Sequence, residues 1–222
     1  MLYEKAFQKG LWEAVRAEKA YAPLLSALLE DYRAVSREGP VSAVRFSEYI
    51  IYQETGSRKK YEAAYFARRK RLNTYALMAL VYPEEGEHLL QLQDTVWAIC
   101  DEYTWALPAH IAWRTGRDPG CIDLFSAETG FALSMIRHLL GDRLHEKMKE
   151  RIDWEINRRI IRPFLYRRFW WEHSNNNWAA VCAGSVGCTF MLSRPRLFSL
   201  IRPRIAFTTV SYTHLRAHET SL

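Results

Sequence analysis

Three asparagines, Asn175, Asn176 and Asn177, stand in a row before Trp178, and an apolar stretch follows them to Leu192. Amide side chains at a helix start can help hold an anion, because the unpaired backbone N–H groups and the positive end of the helix dipole lie there too. The same residue type is a common helix cap, and residue type alone allows either role. Just upstream, Trp170 and Trp171 offer rings for stacking on a sugar, and His173 offers an imidazole. An earlier stretch carries Glu102, Tyr103, Trp105 and His110, which could stack on and hydrogen-bond a polar ligand or be buried between helices. Glu128, early in a helical pattern, could face a cavity or simply favour the helix dipole.

The elements that must position these residues are helices. The chain is 222 residues long and 49% hydrophobic, with 10 Gly and 8 Pro, too few breakers for an all-β fold. Apolar residues at three-and-four spacing predict a helix over 11–36, stopped by Gly39-Pro40. A shorter helix is predicted over 43–54, ending before Gly56, then a long one over 58–81 whose early half is strongly basic. Basic runs on helices are ordinarily solvated faces. Further helices are predicted over 86–106, halted at Pro108, and from Asp123 as N-cap to Leu140, with Gly116, Pro119 and Gly120 in the loop between. Asp142 is expected to cap the next helix, in which Leu144, Met148, Ile152, Ile156 and Ile160 recur every four residues, and Pro163 to end it. A last helix is predicted over 178–192.

Composition and charge narrow the classes. A net charge of +6 favours polyanionic partners, whether nucleic acid, anionic membrane or acidic polysaccharide. No aromatic interleaving in the basic run marks a nucleic-acid platform, and no run of 18 apolar residues marks a membrane span. Cys100, Cys121, Cys182 and Cys188 lack CxxC spacing, so reduced thiols are expected and no metal site is visible. The opening residues lack the apolar run of a signal peptide, which gives the expectation of a cytoplasmic protein.

Two segments go further. TVWAICDEYTWALPAH (95–110) with DLFSAETGFAL (123–133), followed by SNNNWAAVCAGSVG (174–187), resembles the N-terminal toroid of heparinase II/III-like polysaccharide lyases. The resemblance covers roughly residues 60–190. It implies an all-α fold, an incomplete (α/α) toroid of stacked helical hairpins over 1–209. It also implies β-elimination on uronic-acid glycans: a proton leaves C5, the adjacent carboxylate must be neutralised by preorganised donors, and a Tyr/His pair moves the proton. By the resemblance Asn177 is the neutraliser and Asn176 the next candidate, while Glu102, Tyr103, Trp105, His110, Trp178 and His173 would contact substrate. The implied partner is an acidic oligo- or polysaccharide, with oligosaccharides favoured for a cytoplasmic protein, and the chemistry needs no cofactor. Ala179 stands where the family often has a further Asn.

The family's catalytic tyrosine would follow Asn177 by some tens of residues, yet the only tyrosine after it is Tyr212. That residue lies in VSYTHLRAHET (Val210 to Thr220), which resembles an in-frame translated sequencing adapter. Residues 210–222 are therefore expected to be a non-native tail, with Tyr212, His214 and His218 outside any site, and the chain to be an inactive piece of a lyase. Two other classes remain open. An unsaturated glucuronide hydrolase on the same toroid needs a carboxyl pair, and nothing in the spacing pairs Glu102 with Asp123. A helical-repeat scaffold for acidic partners would show a fixed period, which the sequence lacks.

Overall fold

The computed structural model describes the backbone of residues 3–111 and 121–219 and the side chains of these residues up to 208. The chain is all-α, with no strand among the described residues. Also among them, no helix is long and apolar enough to cross a membrane. Where the sequence suggests one domain over 1–209, the residues divide into two compact units, Met1–Glu102 with Leu139–Arg151, and Tyr103–His138 with Ile152–Leu222.

The first unit is built on α4 (Lys59–Val81), which buries Tyr61, Tyr65, Leu72, Tyr75 and Met78. These recur at three-and-four spacing, so one face of the helix meets the core. The helix expected over 11–36 is two, α1 (Leu11–Ala17) and α2 (Ala22–Arg37), broken by a 3-10 turn at Lys19–Tyr21 just before Pro23. A proline is tolerated in the first turn of a helix and not in its interior, so Pro23 stands at the start of α2 rather than inside one long helix. Next, α3 (Phe46–Thr55) ends at Gly56, whose φ of 73° is a left-handed cap that glycine adopts without strain. α5 (Gly86–Cys100) stops six residues short of the predicted end at 106. The chain turns at Glu102, whose N–H bonds back to the Ile99 carbonyl, and Leu107 ahead of Pro108 is extended.

The basic run is a second correction. Arg68 and Arg71 are each 4% exposed rather than solvated. Arg68 donates to the Ala98 carbonyl and pairs with Glu102 at 2.5 Å, while Arg69 grips both oxygens of the same carboxylate.

In the second unit, Asp123 caps α6 (Leu124–Leu139) as predicted, its Oδ1 accepting the Ser126 N–H at 2.7 Å. In the Leu139–Arg151 segment of the first unit, Asp142 does not cap α7 (Glu146–Ile156), which starts four residues later behind His145 and continues into the second unit. The apolar ladder Leu144, Met148, Ile152, Ile156 and Ile160 is buried throughout. Pro163 does not end that helix. A π-turn at Asn157–Ile161 shifts the hydrogen bonds to five-residue spacing and opens the ladder where a proline ring would strike it, so α8 (Arg162–Tyr166) continues with Pro163 in its first turn. At Gly130 an added Cβ would lie 2.7 Å from Cγ1 of Ile160, so only glycine allows this approach. α9 (Asn177–Ser193) buries Cys182, Ala183, Val186 and Phe190 and packs against α10 (Pro195–Glu219), a helix the sequence reading did not anticipate. The Gly116, Pro119 and Gly120 loop lies outside the described residues.

Candidate functional site

The candidate site belongs to the second unit and starts from a buried carboxylate. Asp123 is fully buried, and the cap bond to Ser126 uses its Oδ1. Its Oδ2 accepts the Leu107 N–H at 3.0 Å and meets Nδ1 of His110 at 2.7 Å. A carboxylate only accepts, so Nδ1 of His110 is the donor in this bond. The 3-10 turn Pro108–His110 presents this imidazole, and Pro108 fixes the turn's start.

Aromatic rings surround His110. Phe125 lies parallel to it at 5.9 Å, and Trp178 meets it edge-on at 4.8 Å. Trp170, itself 59% exposed, lies 4.9 Å from Trp178. The Trp170–His173 turn is anchored from below: buried Trp171 donates its indole N–H to the Ile122 carbonyl at 2.8 Å. Buried Glu172 accepts the Phe169 N–H and ion-pairs with Arg204. Burial pushes the Glu172 carboxyl up, but the bonds from Arg204 and Phe169 and the charges of Arg204 and Arg168 outweigh it and hold it below the usual carboxylate value.

The asparagines divide their roles. Asn176 is the N-cap of α9: its Oδ1 accepts the Trp178 N–H at 3.1 Å and the Ser174 hydroxyl at 2.9 Å. Asn177 is the first helical residue, exposed and next to the Trp178 that touches His110. Trp178 and His110 are thus brought together, with Trp170 beside Trp178, and Asn177 joins them as the chain neighbour of Trp178.

No protein-family model matches the chain, and no curated protein matches it.

Other expected residues fall elsewhere. Glu102 belongs to the first unit, 7% exposed and closed off by Arg68 and Arg69. Trp105 is 1% exposed, with the Arg159 guanidinium 4.9 Å from its ring, so it offers no face to a sugar. Tyr103 is exposed, its carbonyl accepting from Arg159. His173 is exposed beside Phe207, on a groove of about 740 Å³ also lined by Arg168 and Glu172. Partial burial, then the Asp123 charge, raises the Glu128 carboxyl above its ordinary value.

The sequence suggests Asp123 as a helix cap and as an acid that spacing does not pair with Glu102, and it does not mark Phe125. The signal for Asp123 was present in its sequence neighbour Ser126 but not for the His110 bond, which the 3-10 turn alone creates. The four cysteines are thiols; burial first, then the Asp123 charge, pushes the Cys182 thiol up and away from reactivity. Among the described residues no group of three or more His, Cys, Asp or Glu is arranged to hold a metal.

Proposed function

We propose that this chain is the recognition part of a lyase for uronic-acid-containing oligosaccharides, from an incomplete α/α toroid. The observation that carries the reading is the contact of Trp178, at the start of α9 next to Asn177, with His110, whose imidazole Asp123 orients. Trp170 and Trp178 give apolar ring faces for a pyranose, and the net charge of +6 favours an acidic one. Asn177 sits at the first turn of α9, where its amide and the helix N-terminus can neutralise the C5 carboxylate. His110, whose Nδ1 donates to Asp123, supplies an oriented imidazole of the type that exchanges protons.

No tyrosine lies between Asn177 and Thr209, so the reading assigns this chain binding without turnover, the tyrosine of the pair being supplied from outside the sequence. The test is a tryptophan-fluorescence titration with a uronate tetrasaccharide and with its carboxyl-reduced counterpart. The reading expects saturable quenching by the first, at least about tenfold weaker binding of the second, and no unsaturated product. Equal binding of both would exclude a carboxylate-reading site and favour a hydrolase-like or generic sugar site. Failure of both, with capture of acidic peptides instead, would favour a scaffold.

A further inference from the structure

The first unit, which holds none of the His110 cluster, has a cavity of about 490 Å³ walled by α2, the Gly39-Pro40 turn, α4 and α5. Arg71 lines it. Of the four consecutive basic residues on α4, Arg68 and Arg69 share Glu102 and Lys70 pairs with Asp31 at 2.6 Å. Arg71 has no carboxylate within ion-pair distance among the described residues, although it is 4% exposed. One terminal nitrogen donates to the Val35 carbonyl at 2.9 Å, the other reaches the Tyr75 hydroxyl only at 3.5 Å, and Nε has no partner. A buried guanidinium left without an anion is costly, and one facing a cavity of small-ligand size has room for the anion to be a ligand.

The rest of the lining narrows the ligand. The hydroxyls of Tyr75 and Ser36, 3.3 Å apart, line the same cavity as the guanidinium and can donate to an oxyanion. Tyr32 stands edge-on to Tyr75 at 6.0 Å and to buried His88 at 4.8 Å, which fixes that wall. From α5 come Glu87 and Asp94, on one helix face two turns apart. Gln91 steadies Glu87 through a 2.8 Å bond, and neither acid is within ion-pair distance of Arg71. A simple anion would meet the repulsion of two carboxylates, and a simple cation would leave Arg71 uncompensated. A ligand with both charges satisfies each.

We propose that this cavity binds a small zwitterion bearing a carboxylate and an ammonium group, the chemistry of a free amino acid. Its carboxylate sits on Arg71, Tyr75 and Ser36, and its ammonium faces Asp94 and Glu87. The volume suits such a molecule and not an oligosaccharide, so this site is separate in chemistry from the glycan reading and stands without it.

The test is calorimetric titration and thermal melting of the full chain with single L-amino acids, and with acetate and ethanolamine as the two half-ligands. At least one amino acid should bind saturably and raise Tm, with both half-ligands weaker by about tenfold or more. Arg71→Met should abolish the binding. Asp94→Asn, at an exposed position, should weaken it about fivefold without changing the unliganded melting temperature, and it decides the matter if the Arg71 variant does not fold. Absence of binding by every amino acid, equal binding of acetate, or binding indifferent to Asp94→Asn would each overturn the proposal.

Discussion

In the first unit the carboxylate of Glu102 is enclosed by Arg68 and Arg69, and the Arg69 guanidinium in turn lies 3.6 Å over the Tyr65 ring. In the second unit the carboxylate of Asp123 is just as buried, but one of its bonds goes to an imidazole that reaches an aromatic surface carrying an exposed amide. Both clusters combine acids, rings and nitrogen donors in a short stretch of sequence. They differ in where the chain of hydrogen bonds ends. At Glu102 it runs inward to Arg68 and Arg69 on α4, which makes the cluster structural. From Asp123 it runs to His110, whose ring in turn touches the half-exposed Trp178 beside exposed Trp170.

That contrast can be broken by mutation, and the largest effect belongs to the closed cluster. Glu102→Ala leaves Arg68 and Arg69 without their shared anion and should lower the unfolding free energy by about 3–5 kcal/mol in denaturant titrations. A loss under about 1 kcal/mol would mean the cluster is not the structural half of the pair.

Next comes Glu172, which anchors the turn carrying Trp170. Glu172→Gln removes the ionised acceptor of Arg204 and should cost about 2 kcal/mol near neutral pH. Because its folded carboxyl titrates below the ordinary value, its contribution is complete above the ordinary carboxylate range and is lost as pH falls through the lower folded value. Melting temperatures of wild type and variant should therefore converge in acid and separate toward neutrality. A gap that widens in acid would reverse the assignment.

The smallest stability effect separates two neighbours. Asn176→Ala removes the α9 cap and should cost about 1 kcal/mol. Asn177→Ala, at an exposed position, should change stability by less than about 0.5 kcal/mol.

Most of the helical fold was legible in the sequence because its apolar residues keep a clean helical period; the Ile152, Ile156 and Ile160 ladder is buried where that period places it. The failures share a cause: contacts made outside the local window. The basic run on α4 has the composition of a solvated face, and only the return of the chain at Glu102 turns it inward. Pro163 carries every local mark of a helix end, yet a π-turn absorbs it. α10 was masked by Pro203 inside it, although Leu197, Phe198, Ile201 and Ile205 keep a helical spacing. At the candidate site the order Asn176, Asn177, Trp178 was readable, but the split between cap and open amide depends on one φ/ψ pair at Asn176. The His110–Asp123 bond depends on the Pro108 turn, which spacing alone does not specify.

The most direct test of the His110 cluster is the affinity of Asn177→Ala for the uronate tetrasaccharide by isothermal titration calorimetry. An exposed amide that reads the carboxylate predicts a Kd raised about tenfold with the binding stoichiometry kept. An unchanged Kd would contradict the account and leave Asn177 as no more than the first residue of a helix.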